Sequence, residues 1–282
     1  MKGITPFLWF DNNAAEAVDY YSKIFKNLKT INTSRGPDGK VFTVSFKLEN
    51  LDLTALNGGP VFKFTQAISF FVACKTRKEL DAIWDKLSVE GKVLMKLDKY
   101  PFSERYGWVQ DKYGLTWQLI LNNNSQKITP ILLFADTQRG NAGSAIKLYT
   151  SIFKDSKIDT MIKYTQNDMD KGNVMHSSFK LRGQGFMAMD SHNDAKINFN
   201  EAVSFVVHCE NEKEVDYYWE KLSKGGKTSQ CGWLKDKYGV SWQIFPTILG
   251  KMLADKKKSK KVMDAVMKMT KLDIKTLQKA YK

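Results

Sequence analysis

The chain has 282 residues, 43% apolar and 12% aromatic, enough for one or two ordinary cores and too apolar for a disordered chain. Its net charge of +14 is gathered late: the segment from Pro246 onward holds eleven Lys against three Asp, leaving only +6 for everything before it. No aromatic residues interleave its Lys256-Lys257-Lys258 and Lys260-Lys261 run, so nucleic-acid binding ranks last, and three cysteines without a CxxC pair fit a reduced, cytoplasmic protein. No apolar run reaches membrane-spanning length, and MKGITPFLWF meets Asp11 too early for a signal peptide, so no membrane partner is expected.

In chain order, Ile4 to Phe10 reads as a strand, and Ala14 to Phe25 as a helix whose stripe is Ala17, Tyr20, Tyr21, Ile24 and Phe25, with Asn12 or Asn13 as N-cap. Three strands follow at Thr30 to Ser34, Val41 to Glu49 and Leu51 to Leu56, closed by Asn57-Gly58-Gly59-Pro60. The same β-α-β-β-β order returns: a strand at Ala67 to Cys74, a helix at Arg77 to Ser88, then strands around Val93 to Leu97, Arg105 to Gln110 and Thr116 to Leu121. Asp111-Lys112-Tyr113-Gly114 is the turn between the last two.

From Ile128 the whole pattern repeats. ITPILLF answers ITPFLWF, AIKLYTSIFK from Ala145 answers AVDYYSKIFK from Ala17, and GWLKDKYGVSWQ from Gly232 matches GWVQDKYGLTWQ from Gly107 at eight of twelve positions. The chain is therefore a duplication holding four β-α-β-β-β modules. We divide it into residues 1–122, a linker 123–127, residues 128–246 and a basic tail 247–282. The spacing of Ile248, Met252, Val262, Val266, Met269, Leu272 and Leu277 predicts two or three helices in the tail, and its lysine run is read as a solvated turn.

These strings, with TALNGGPVFKF, YGWVQDKYGLTWQL and the late KMTKLDI, resemble the PhnB-like branch of the vicinal oxygen chelate superfamily, which includes glyoxalases, bleomycin-resistance proteins and dioxygenases. The resemblance covers essentially the whole chain. It implies an α+β fold in which the four modules form two glyoxalase-like domains, plus a C-terminal helical tail. It also implies clefts in which His or Glu on the first, fourth, fifth and eighth strands of each half typically hold a divalent ion. In this chain those positions fall near Thr5, Thr54, Ser69 and Gln118 in the first half, and near Thr129, Met187, Ser204 and Gln243 in the second. Hydroxyls, a thioether and amides are poor donors for such an ion, so no tight catalytic metal and no cofactor are expected. The branch is often labelled as demethylubiquinone methyltransferases, but neither Asn57-Gly58-Gly59-Pro60 nor Gly183-Gln184-Gly185 leads from a strand into a helix as a cofactor loop would.

The resemblance therefore points to a binder of a small, partly aromatic organic molecule, held by Thr5, Phe7, Thr54, Ser69, Trp108, Gln118, Thr129, Met187, Ser204, Trp233 and Gln243. The alternative is a metal-dependent lyase, isomerase or dioxygenase, with Asp190, Ser191 and His192 as weak candidates for proton transfer or metal ligation. Of the other histidines, His176 and His208 match Thr43 and Ala73 in the first half and suggest nothing. Strand alternation places Thr116 and Ile120 on the face of Gln118, and sends Trp117 and Trp242 to the opposite side as core. Phe7, Trp9 and Phe70 are candidates for an apolar cleft wall. Cys74 and Cys209 read as buried thiols, and Cys231, where the first half has Tyr106, as more exposed. The assembly is either a monomer whose halves mimic a dimer or a homodimer.

Overall fold

A computed structural model describes residues 3–36, 38–123, 127–165, 170–191, 196–255 and 257–282. Module one is β1 (Ile4–Phe10), α1 (Ala14–Ile24), β2 (Leu28–Arg35), β3 (Val41–Leu48) and β4 (Leu51–Asn57). Module two is β5 (Ile68–Cys74), α2 (Arg77–Ser88), β6 (Lys92–Tyr100), β7 (Ser103–Gln110) and β8 (Thr116–Leu121). Module three is β9 (Ile128–Phe134), α3 (Ala142–Ile152), β10 (Lys157–Lys163), β11 (Val174–Leu181) and β12 (Gln184–Asp190). Module four is β13 (Val203–Cys209), α4 (Glu212–Ser223), then the short β14 (Lys227–Thr228) and β15 (Trp233–Lys235), and β16 (Ser241–Pro246). The tail forms α5 (Thr247–Ala254), α6 (Ser259–Val266) and α7 (Ile274–Tyr281).

Each module is a small sheet whose first strand keeps one edge open, an edge that must be covered. The cover comes from another module, and the two sheets cross the boundary between the sequence halves. The first sheet runs β14-β15-β16-β13-β1-β4-β3-β2, and the second runs β10-β11-β12-β9-β5-β8-β7-β6. The short link from β8 to β9 lays β9 antiparallel on β5, with Phe71 opposite Thr129. Modules one and four are left with free edges, and β1 pairs antiparallel with β13 from Ile4 opposite Val207 to Leu8 opposite Val203.

The convex faces and the four module helices enclose one continuous apolar core that includes Leu8, Tyr21, Phe25, Phe70, Trp117, Tyr149, Phe205 and Trp242. The repeated DKYG turn is its keystone. Asp111 Oδ1 accepts the Tyr113 and Leu115 backbone N–H groups at 2.9 and 3.0 Å, while Oδ2 accepts the Tyr21 hydroxyl and Trp117 Nε1, both at 2.8 Å. Asp236 does the same for Tyr238 and Val240, and for Tyr149 and Trp242. One buried carboxylate per half thus closes a hairpin and ties a helix of one module to a strand of the next.

Helix α1 begins without a side-chain bond from Asn13. Its cap comes from the end of β4, where Asn57 Oδ1 accepts the Ala14 N–H at 2.8 Å and Asn57 Nδ2 donates to the Val41 carbonyl. In the second half Asp190 takes that place. It accepts the Gly140, Ala142 and Val174 N–H groups at 2.8, 3.1 and 2.7 Å. Burial pushes its carboxyl up and these bonds pull it back.

The tail packs as a separate cluster of Leu249, Met252, Val262, Val266, Leu272 and Leu277 against the outer part of module four. No helix among the described residues is long and apolar enough to cross a membrane.

Candidate functional site

On the concave side of each sheet, side chains two apart along a strand share a face. The sequence reading gathers the eight family positions by halves, whereas the sheets sort them differently. Thr5, Thr54, Ser204 and Gln243 lie on the first sheet, with Phe7 opposite both Thr54 and Ser204. Ser69, Gln118, Thr129 and Met187 lie on the second, where Ile131 is opposite both Ser69 and Met187. Trp108 and Trp233 share the face of the two glutamines, because Trp108 pairs with Gln118 and Trp233 with Gln243. Trp117 and Trp242 are core, each 1% exposed. Phe70 also belongs to the core, and its neighbour Phe71 faces the cleft, a shift of one residue that exchanges faces.

The two clefts differ in how their central amide is satisfied. On the second sheet, Gln118 accepts the Tyr106 hydroxyl at 2.9 Å and donates to Ser69 Oγ at 2.8 Å, so both ends are committed. Around it Phe71, Tyr106, Ile120, Ile131 and Met187 form a buried apolar cluster of their own. Beyond this plug a cavity of about 540 Å³ is lined by Asn50, Thr129, Asp159, Ser178, Gln184 and Met187, among others. The Thr129 hydroxyl and Trp108 Nε1 are buried without a hydrogen-bond partner among the described residues.

On the first sheet, Gln243 donates to Ser204 Oγ at 2.9 Å, but its carbonyl oxygen is buried with no partner among the described residues. The residue is 0% exposed. Cys231 stands where the second module has Tyr106, so the hydroxyl that closes the other amide is missing here. The wall is aromatic and half-buried. Phe7 and Trp9 each meet Trp233 edge-on at 6.1 Å, and Trp9 meets Phe62 at 5.0 Å. Hydroxyls line the module-one side, with Ser45 and Thr54 bonded at 3.1 Å and Ser34 and Thr43 at 2.6 Å.

The NGGP turn shapes that wall. Trp9 Nε1 donates to the Gly59 carbonyl at 2.8 Å, and Gly59 takes φ +84. A Cβ on Gly58 would sit 2.2 Å from the Trp9 ring, so only glycine lets the indole lie flat on this backbone.

Sequence reasoning missed His208. It lies four residues beyond Ser204 on β13, hence on the same face, and its Nε2 is 3.0 Å from Thr5 Oγ1. Strand parity was the available signal. Burial pushes the imidazole down to about 4, so it is neutral at pH 7. The unfolded chain, with a pKa of about 6.5, takes up the proton first; stability is therefore full above about pH 6.5 and falls as pH drops toward 4. In His208→Gln the loss between pH 7 and 5 is expected to shrink by about 2 kcal/mol, measured by urea melts at both pH values. An unchanged pH slope would remove His208 from this role.

Of the acid-base candidates, Asp190 is the helix cap already described, so its carboxylate is engaged by backbone rather than turned to a ligand. Ser191 is buried beside it, with its N–H on the Phe134 carbonyl at 2.8 Å. His192 lies outside the described residues. Burial raises the thiols of Cys74 and Cys209 to about 11 and about 12, as expected of inert buried cysteines.

The donor set does not fit a divalent ion: the four family positions offer Thr, Thr, Ser and Gln in one cleft, and Ser, Gln, Thr and Met in the other. Among the described residues no three His, Cys, Asp or Glu side chains come together as a metal site.

A family model described as 3-demethylubiquinone-9 3-methyltransferase matches the chain twice, over residues 2–120 and 126–245. The chain belongs to this family. Among solved structures, a putative 3-demethylubiquinone-9 3-methyltransferase, PhnB protein, from Bacillus cereus is 36% identical over 42% of this chain and 98% of its own, with TM-score 0.40. Glyoxalase I from Zea mays is 14% identical over 91% of this chain and 96% of its own, with TM-score 0.60. A putative dioxygenase from Bacillus subtilis subsp. subtilis str. 168 is 11% identical over 87% and 85%, with TM-score 0.51. The last two establish the shared fold and nothing more. No curated protein matches the chain significantly. Membership in the family gives both halves the same ancestry, and the differences between the two clefts are therefore departures within one chain from a common plan.

Proposed function

We propose that this family member is a metal-independent small-molecule-binding protein whose principal site is the first-sheet cleft. The observation that carries this reading is the free carbonyl of Gln243. A buried amide oxygen without a partner costs about 1–3 kcal/mol, and a ligand N–H or O–H would recover it. The aromatic rings of Phe7, Trp9 and Trp233 suit a flat, partly aromatic molecule, and Thr5, Thr54 and Ser204 supply neutral hydrogen bonds for orientation. The ligand is thus an uncharged aromatic that carries a hydrogen-bond donor. Methyl transfer finds no support, since among the described residues no glycine-rich turn leads from a strand into a helix.

The test is a fluorescence screen of indole, phenol and anilide fragments against the wild type and Gln243→Leu. The variant is expected to keep its stability to within about 1 kcal/mol, because the freed carbonyl penalty offsets the lost Ser204 bond. It should bind at least about tenfold more weakly, the worth of one hydrogen bond. Equal affinity in both proteins would place the ligand elsewhere.

The metal-dependent alternative is tested separately, by elemental analysis and add-back of Zn, Mn, Fe and Ni. A stoichiometric ion would overturn the metal-independent reading.

A further inference from the structure

The two halves differ most where module two has a long hairpin. There β6 and β7 extend over Lys92–Tyr100 and Ser103–Gln110, whereas β14 and β15 keep two and three residues. The tail fills the gap. Cys231 N–H donates to the Met269 carbonyl at 2.7 Å and Gly232 N–H to the Thr270 carbonyl at 2.8 Å, a short stretch of backbone pairing. Both donors are in the left-handed region, φ 61 and φ 81, turned out of the line of β15 toward the tail. Leu272, 0% exposed, packs directly on Gly232, where a Cβ would come within 3.2 Å of its side chain. Two further ties hold the segment: Lys271 pairs with Asp216, and the Ile274 N–H donates to Glu212 Oε2 at 2.8 Å.

The next residue in the chain is Trp233, a wall of the first-sheet cleft. Phe245, on the same face of β16 as Gln243, packs against the tail's apolar cluster. Its counterpart Ile120 packs instead in the cluster of Tyr106 and Phe71. The tail thus occupies the place of the hairpin, and bends the backbone at the position where Tyr106 would have closed the amide.

We propose that residues 267–272 of the C-terminal tail are a positioning element of the ligand site, holding Trp233 in the cleft wall. This rests on the reading of the first-sheet cleft as the ligand site. It also makes Leu272 and Lys271 positioning residues, acting on the ligand through Trp233 rather than by contact.

The experiment uses the full chain labelled with 5-fluorotryptophan, the Trp233 resonance being assigned with Trp233→Phe. The probe is N-phenyl-1-naphthylamine, an uncharged aromatic with one N–H donor, its affinity read from the shift of that resonance. Leu272→Ala is expected to move the Trp233 signal, to leave Trp108 and Trp117 in place, and to weaken the probe at least fivefold. Lys271→Ala should act in the same direction more weakly and Lys271→Arg should restore the wild-type signal, which covers the case in which Leu272→Ala does not fold. The proposal is overturned if tail amides lose hydrogen-exchange protection while the Trp233 resonance and the probe affinity stay unchanged. If the probe never shifts Trp233 in the wild type, the binding reading fails by itself, and the response of Trp233 to the tail variants still decides the positioning claim.

Discussion

Replacing Asp236 with alanine is expected to cost about 4 kcal/mol of stability. Four buried donors lose their acceptor at once: the Tyr149 hydroxyl, Trp242 Nε1, and the backbone N–H groups of Tyr238 and Val240. Each orphaned group costs about 1–3 kcal/mol. Part of this is returned, because burial raises the Asp236 carboxyl and its removal relieves that desolvation. The loss corresponds to a fall in Tm of about 10 °C for a domain of this size. Asp111→Ala should cost nearly as much, since Asp111 holds the same four kinds of partner in the other half. Asp236→Asn keeps the shape and one acceptor oxygen, and should fall between the wild type and Asp236→Ala. Denaturant melts of the three variants decide the matter, and a cost below about 1 kcal/mol in both alanine variants would show that the hairpin does not need its carboxylate.

That the most repetitive string in the chain is a structural device shows what the sequence could and could not reveal. Self-similarity located the modules, and alternation along β8 and β16 placed Trp117 and Trp242 in the core, because both signals are local. The edge-to-edge pairing of β1 with β13 has no local signature: backbone hydrogen bonds are blind to side chains, so the regrouping of Thr5 with Gln243 and of Ser69 with Thr129 was not legible. Asp190 was legible in principle. Its repeat partner is Asn57, the last residue of β4, and a polar residue ending the same strand in both halves is better read as a cap than as part of an Asp-Ser-His cluster. The exchange of Tyr106 for Cys231 was visible as letters, but its meaning depended on the tail, which the sequence showed only as helical periodicity.

Gly58→Ala is expected to lower stability by about 3 kcal/mol and to block the first-sheet cleft. The added Cβ would lie 2.2, 2.4 and 2.7 Å from three atoms of the Trp9 ring. A rigid indole cannot flex away from such a contact; it must swing as a whole. Swinging breaks the Trp9 Nε1 bond to the Gly59 carbonyl and disturbs the edge contacts with Phe62 and Trp233, and the displaced ring has the cleft in which to move. Stability and binding are therefore predicted to fail together at this position, unlike at Gln243, where binding alone is lost. A double variant separates the causes. With Trp9→Leu in the background, Gly58→Ala has no ring to displace, and its cost should drop by about 2 kcal/mol in a double-mutant cycle. A cost that does not depend on residue 9 would mean that the turn itself, rather than its contact with the cleft wall, requires glycine.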